Sequence, residues 1–240
     1  LEGLISPEAV LMDADSGEVL AAKNADASIY PASMTKVMTA LLVLEANPDL
    51  DTPVTLPEDI FPELRAEGAS MAGFLPGETA TVRDLLYGVL LPSGAECCET
   101  LAREVSGSEE AFVASMNRKA AALGMASTHF CNPTGLHDPE HVSTARDMAV
   151  LLRAAMQNEM FRRIFATARY TVPPTNLHPD GFTMESTFWS ELDGTELRRG
   201  KFLGGKTGYT SAAGLCLASA AEVKGKTYLM VTAGAPGNHN

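Results

Sequence analysis

Short apolar runs at Ala9–Met12 and at Glu18–Ala22 lie on either side of Asp13-Ala14-Asp15-Ser16-Gly17, a turn rich in Asp and Gly, a pattern that predicts two short strands joined by a turn. From Ser33 to Ala46 the period changes to that of a helix. Val37, Leu41 and Leu44 recur on one face with Met38 and Leu42 beside them, Asn47-Pro48 closes the run, and the helix is expected to lie buried against a sheet. The stretch from Pro57 to Gly77 is rich in Pro, Gly and Glu and reads as irregular. Helical spacing returns near Thr81–Leu91, Ala95–Val105 and Glu109–Leu123. A further helix is predicted over Thr144–Met156, with Ser143 as its cap and Met148, Leu151, Leu152 and Ala155 on its apolar face.

Toward the end, Gly214–Ala221 and Thr227–Ala233 are runs of small and β-branched apolar residues joined by Val223-Lys224-Gly225-Lys226, the mark of a second hairpin. Both hairpins are expected in one antiparallel sheet. No internal repeat, low-complexity segment or charged linker divides the chain. The expected organisation is therefore one α/β unit over residues 1–240. Its α/β part is made of 1–60 and 145–240, with a helical subdomain inserted at about 61–144.

Composition narrows the classes of partner. The 240 residues are 45% hydrophobic, enough for a substantial core, and the formal charge of −12 argues against binding to nucleic acid or an anionic membrane through charge. The longest apolar runs, Ala40–Leu44 and Leu85–Leu91, are far short of the roughly 20 residues that cross a bilayer, and no signal-peptide pattern opens the chain. Cys97, Cys98, Cys131 and Cys216 form no CxxC pair, so buried free thiols are expected rather than disulfides or zinc.

Ser33-Met34-Thr35-Lys36 sets a hydroxyl and an amine three residues apart, on one helical face, where they can share a proton. Lys36 accepts that proton near neutral pH only if burial or a neighbouring cation lowers its pKa, and Lys206 is the candidate neighbour. Ser33 also falls at a helix N-terminus, where free N–H groups can hold an oxyanion. Taken alone, the pair fits a capping serine and a solvated lysine better than a nucleophile. Gly204-Gly205-Lys206-Thr207-Gly208-Tyr209-Thr210 allows a substrate backbone to approach a strand edge, and it lacks the GxxxxGK[ST] spacing of a phosphate loop.

With Ser93-Gly94 between them, these segments match in order the set S-x-x-K, S-x-N, K-T-G of β-lactamases and penicillin-binding proteins. The chain resembles the low-molecular-weight D-alanyl-D-alanine carboxypeptidases in Tyr30-Pro31-Ala32-Ser33-Met34-Thr35-Lys36-Val37-Met38-Thr39-Ala40 and in Gly205-Lys206-Thr207-Gly208-Tyr209-Thr210. The likeness continues through Asn132–His137 and Ser143–Ala149, and covers roughly Val10 to Ala235. It implies a β-lactamase/transpeptidase-like α/β fold, an antiparallel sheet flanked by helices with a helical insertion. It also implies removal of the terminal D-alanine from peptidoglycan stem peptides outside the cytoplasmic membrane of a bacterium, without metal or cofactor, and acylation by β-lactam antibiotics. By the same resemblance Ser33 forms the acyl-enzyme, Lys36 takes its proton and Ser93 relays a proton to the leaving amine. Lys206 and Thr207 hold the terminal carboxylate, Gly208 and Tyr209 complete the substrate wall, and the N–H groups of Ser33 and Tyr209 form the oxyanion hole. Membrane anchoring is expected only through segments outside this sequence.

Two departures qualify the resemblance. Ala95 stands where the second motif carries Asn, removing a contact worth about 1–3 kcal/mol, for which Glu96 or a water is the available substitute. The stretch Thr175–Leu203, with Trp189 and Asp193-Gly194, is also unlike the family before K-T-G. A serine β-lactamase is the nearest rival, but no Glu-x-x-Leu-Asn segment lies between Ser93 and Lys206. His137-Asp138-Pro139-Glu140-His141 reads as a solvated loop rather than a metal site, and a cell-wall-binding module with decayed catalysis is the non-enzymatic alternative.

Overall fold

Residues 1–240 are described by a computed structural model, apart from residues 2, 47, 193 and 238–240. The N-terminal hairpin is β1 (Glu8–Asp13) and β2 (Val19–Lys23), and its turn is fixed by Asp13, whose Oδ1 accepts from the N–H groups of Asp15 and Ser16 at 3.0 and 2.9 Å. The C-terminal hairpin was predicted one strand short. A long strand, β7 (Gly200–Thr210), precedes β8 (Gly214–Val223) and β9 (Lys226–Ala235). Lys224 and Gly225 turn β8 into β9 with φ of +52° and +76°, the primed geometry that suits the right-handed twist of the strands. The order is β2-β1-β9-β8-β7, antiparallel throughout, so both hairpins share one sheet and β7 is its edge.

Between these strands the chain forms a 3-10 turn (Ala32–Thr35), α1 (Lys36–Glu45), α2 (Phe61–Ala66), α3 (Val82–Leu90), α4 (Ala95–Ser106), α5 (Glu109–Ala122) and α6 (Ala145–Ala155). Two strands, β3 (Pro53–Thr55) and β4 (Thr79–Thr81), pair on their own, as do β5 (Arg169–Val172) and β6 (Phe182–Glu185). The last helices are α7 (Glu159–Phe165) and α8 (Thr187–Leu192). The predicted helices are present, but their placement corrects one expectation. It is α6, through Met148, Leu151, Leu152 and Ala155, all fully buried, that lies on β1 and β9. By contrast, α1 is packed among α3, α4, α5, α6 and α7, which is why it is apolar nearly all round.

The cap of α6 is Thr144, whose Oγ1 accepts from Asp147 N at 3.0 Å, and not Ser143, whose hydroxyl bonds Thr128. The predicted end of α1 at Asn47 and the Asp193 call lie outside the described residues. One continuous buried cluster runs from Val10 and Met12 through α1 to Leu86, Leu101 and Phe112, and back to Val231. The 3-10 turn abuts β7 and β8, so this core sets the turn directly against the sheet edge.

Candidate active site

Ser33 sits in that turn. Ala32 before it has φ +47°, a left-handed conformation that a β-carbon disfavours, and surrounding contacts hold it there. Gly135, at φ +81°, lies so close to the Ala32 carbonyl that a Cβ would collide with it. On the other side, a Cβ at Gly208 of β7 would come within 3.0 Å of Ser33 N. Glycines on two elements thus let backbone close around the Ser33 amide.

Lys36 begins α1 one turn later and is 2% exposed. Its Nζ is 3.0 Å from Ser33 Oγ and 2.6 Å from the carbonyl oxygen of Thr134. Burial lowers its pKa from the ordinary 10.5, against the raising influence of nearby groups including Glu96 and Glu99. The sequence offered two causes, burial and a neighbouring cation; burial is the leading one, and Lys206 is itself held well below the usual amine range by burial first and by Lys36 second.

The Thr134 carbonyl was not singled out from sequence. Asn132 Oδ1 accepts from the N–H groups of Thr134 and Gly135 at 3.2 and 2.7 Å, while Thr39 Oγ1 donates to the Pro133 carbonyl at 2.6 Å. The Asn132-Pro133-Thr134-Gly135 stretch therefore aims one carbonyl at Lys36. The signal lay in a segment noticed only for its likeness to a family.

Ser93 occupies the link between α3 and α4 with φ +69° and is 5% exposed, and its hydroxyl has no hydrogen-bond partner among the described residues. Ala95 lines the cleft beside Ser33 and Lys36, so the missing amide of the second motif falls inside the site. Glu96 does not substitute for it. Its Oε1 accepts from Ala72 and Gly73 N–H at 2.6 and 3.0 Å, pinning the loop that ends one cleft wall, and its other oxygen is buried without a partner among the described residues.

Edge strand β7 forms the opposite wall. Thr207, Gly208 and Tyr209 line the cleft, whereas Lys206 is fully buried beneath them with its Nζ donating to the Thr207 carbonyl at 2.8 Å. Thr207 Oγ1 is 2.6 Å from Thr187 Oγ1, which α8 supplies and sequence reasoning missed. Two cavities, of about 420 and 560 Å3, meet at Ser33 and share Gly68, Ser70 and Tyr209. Lys36, Ala95 and Thr134 line the first, and Ser93, Thr187 and Thr207 the second.

The His137–His141 segment is not simply a solvated loop. His137 is exposed, but His141 is 2% exposed and its Nε2 is 2.8 Å from Thr35 Oγ1. Its Nδ1 accepts from Cys131 N–H at 3.1 Å, so the neutral ring carries its proton on Nε2 and donates to Thr35. Among the described residues no His, Cys, Asp and Glu cluster is placed to hold a metal ion. All four cysteines are free, with Cys97, Cys98 and Cys216 buried and Cys131, contrary to expectation, partly exposed.

A hydroxyl beside a buried amine, in a cleft bounded by a sheet edge, is equipped for attack on a carbonyl held against that edge. The family model described as Peptidase_S11, D-alanyl-D-alanine carboxypeptidase, matches residues 3–237. The chain belongs to this family. It is 38% identical to D-alanyl-D-alanine carboxypeptidase DacF of Bacillus subtilis over 95% of its own length and 57% of that protein's. It is 37% identical to DacB2 of Mycobacterium tuberculosis, covering 90% of this chain and 70% of that one. The crystal structure of the Streptomyces K15 DD-transpeptidase superposes with a TM-score of 0.89 at 30% identity, covering 98% of this chain and 91% of the other. Fold membership thus agrees with the antiparallel sheet and helices of the penicillin-binding class, and the chain spans little more than half the length of the Bacillus relative.

Proposed function

We propose that the chain is a serine-type D-Ala-D-Ala carboxypeptidase that removes the terminal D-alanine of peptidoglycan stem peptides and is acylated by β-lactams. The observation that carries this reading is Lys36 Nζ at 3.0 Å from Ser33 Oγ, in a cleft walled by an edge strand, in a chain of this family. Ser33 Oγ attacks the carbonyl carbon of the penultimate D-alanine, and its proton passes to the neutral Lys36 amine. The N–H groups of Ser33 and Tyr209 hold the resulting oxyanion. When a proton relayed through Ser93 reaches the amide nitrogen, the C–N bond breaks and D-alanine leaves an ester on Ser33. Water then adds to that ester, the C–O bond to Ser33 breaks, and the serine regains its proton.

The Thr207 hydroxyl, oriented by Thr187, receives the terminal carboxylate, and Lys206 supports this wall from beneath through its bond to the Thr207 carbonyl. A β-lactam enters the same first step, but its leaving nitrogen stays tethered in the ring-opened product, so the ester persists. By family likeness the site of action is outside the cytoplasmic membrane, and no helix among the described residues is long and apolar enough to cross one.

The test is intact mass after incubation with benzylpenicillin, beside a Ser33→Ala control, together with D-alanine release from a peptide ending in D-Ala-D-Ala. A stable adduct absent from the control, with D-alanine release, is expected. Rapid antibiotic turnover without an adduct would assign a β-lactamase instead. Neither adduct nor turnover would leave only a cell-wall-binding module.

A further inference from the structure

The hydroxyl of Ser70, like that of Ser93, has no hydrogen-bond partner among the described residues. Ser70 is exposed and lines both cavities that meet at Ser33, in company with Ala95 in the first and with Ser93 in the second. A residue outside the three motifs thus stands at the second of them. Ser211 also lines the first cavity, but it follows β7 directly and belongs to the other wall.

Two consecutive residues of α4 hold Ser70 in place. The N–H of Ala95 donates to the Ser70 carbonyl at 2.8 Å, and Glu96 Oε1 accepts from the N–H groups of Ala72 and Gly73 just beyond. Gly94 lets the two segments close on each other, since a Cβ there would fall 2.6 Å from that of Ala72. A serine on a free loop would lose much of its mobility on binding, whereas this one hangs from backbone already tied to the motif.

The gap beside it defines what its hydroxyl meets. Ala95 offers a methyl group where the motif carries an amide, so a substrate carbonyl directed at this wall would lose water and find no donor in that side chain. In an extended peptide laid along β7, successive residues send their N–H and C=O groups to opposite sides. The carbonyl of the penultimate D-alanine faces the N–H groups of Ser33 and Tyr209, so the carbonyl of the residue before it faces away from β7, toward the wall of Ala95 and Ser70. We propose that Ser70 is a substrate-contacting residue that takes over from the missing amide at position 95, its hydroxyl donating to the carbonyl of the residue that precedes D-Ala-D-Ala. This inference rests on the proposed carboxypeptidase reading.

The experiment measures kcat/KM for Nα,Nε-diacetyl-L-lysyl-D-alanyl-D-alanine in the wild-type chain, Ser70→Ala, Ala95→Asn and the double variant. Ser70→Ala should lower it about five- to tenfold at an unchanged melting temperature, because an exposed side chain gives up a hydroxyl and little packing. Rescue separates contact from loop architecture, since Ala95→Asn returns a donor to the same carbonyl without altering the loop. The gain from Ala95→Asn should be at least about threefold larger in Ser70→Ala than in the wild-type chain. If Ser70→Ala melts early, this comparison still decides, because the double variant shares the same altered loop. An unchanged kcat/KM in Ser70→Ala would overturn the contact, and so would equal Ala95→Asn gains in the two backgrounds; with D-alanine still released, the carboxypeptidase reading would stand. No release by the wild-type chain and no penicillin adduct on Ser33 would bring down both.

Discussion

Lys36 Nζ stands closer to the Thr134 carbonyl, at 2.6 Å, than to the Ser33 hydroxyl, at 3.0 Å. The carbonyl fixes where the amine sits, and the amine's protonation decides what it can do to Ser33. Only the neutral amine accepts the serine proton, and burial lowers the pH at which it appears. Acylation by benzylpenicillin should accelerate as pH rises through the lowered Lys36 pKa and level off below 10.5. Lys36→Ala should slow it by about 10²- to 10⁴-fold. A rate that climbs on through pH 10.5 would show that Lys36 titrates as an ordinary amine and is not the base.

Ala95 lines the cleft where an amide would otherwise reach the substrate, and Glu96 is turned to Ala72 and Gly73 instead. Ala95→Asn should raise kcat/KM for a D-Ala-D-Ala peptide by about five- to hundredfold, the equivalent of one restored hydrogen bond. Steady-state hydrolysis measures it directly. No gain, in a variant that melts at the wild-type temperature, would show that the position has no part in substrate contact.

His141 governs stability in acid. Burial holds it neutral in the folded protein down to about 4, whereas the unfolded chain takes up a proton near 6.5. Between those values the unfolded state binds more protons, so the stabilisation is complete above 6.5 and is lost as pH falls toward 4. Roughly 3 kcal/mol is at stake. Thermal melting should show that loss across this window, and the slope should be flatter in His141→Gln. Identical slopes for the two proteins would place the acid sensitivity elsewhere.

Much of the architecture was legible because its signals are local. The Lys224-Gly225 turn, the apolar run of β1 beside its Asp- and Gly-rich turn, and the stripe Met148, Leu151, Leu152 and Ala155 each depend on residues a few positions apart. Periodicity tells which face is buried but not what covers it, and so α1 was assigned to the sheet although five helices enclose it. His141 was read as solvated because its burial depends on Thr35, a partner distant in sequence. The glycines of β7 hid a strand, since Gly204, Gly205 and Gly208 break the alternation that would have announced it. The motif residues converge on one cleft as their order suggested. The groups that orient them, Thr134, Thr187 and the Glu96 clamp, carry no motif of their own.

The pairing of β1 with β9, in which Glu8 opposes Ala233, ties together nearly opposite ends of the chain. Until β9 exists, the N-terminal hairpin is a two-strand ribbon with no sheet to join, and such a ribbon is marginal in water. Completing the sheet therefore requires the closing of a very long loop, a costlier event than the growth of a helix. During synthesis the turn carrying Ser33 leaves the ribosome well before β7, so Ser33 acquires its setting only once that distant strand has followed it.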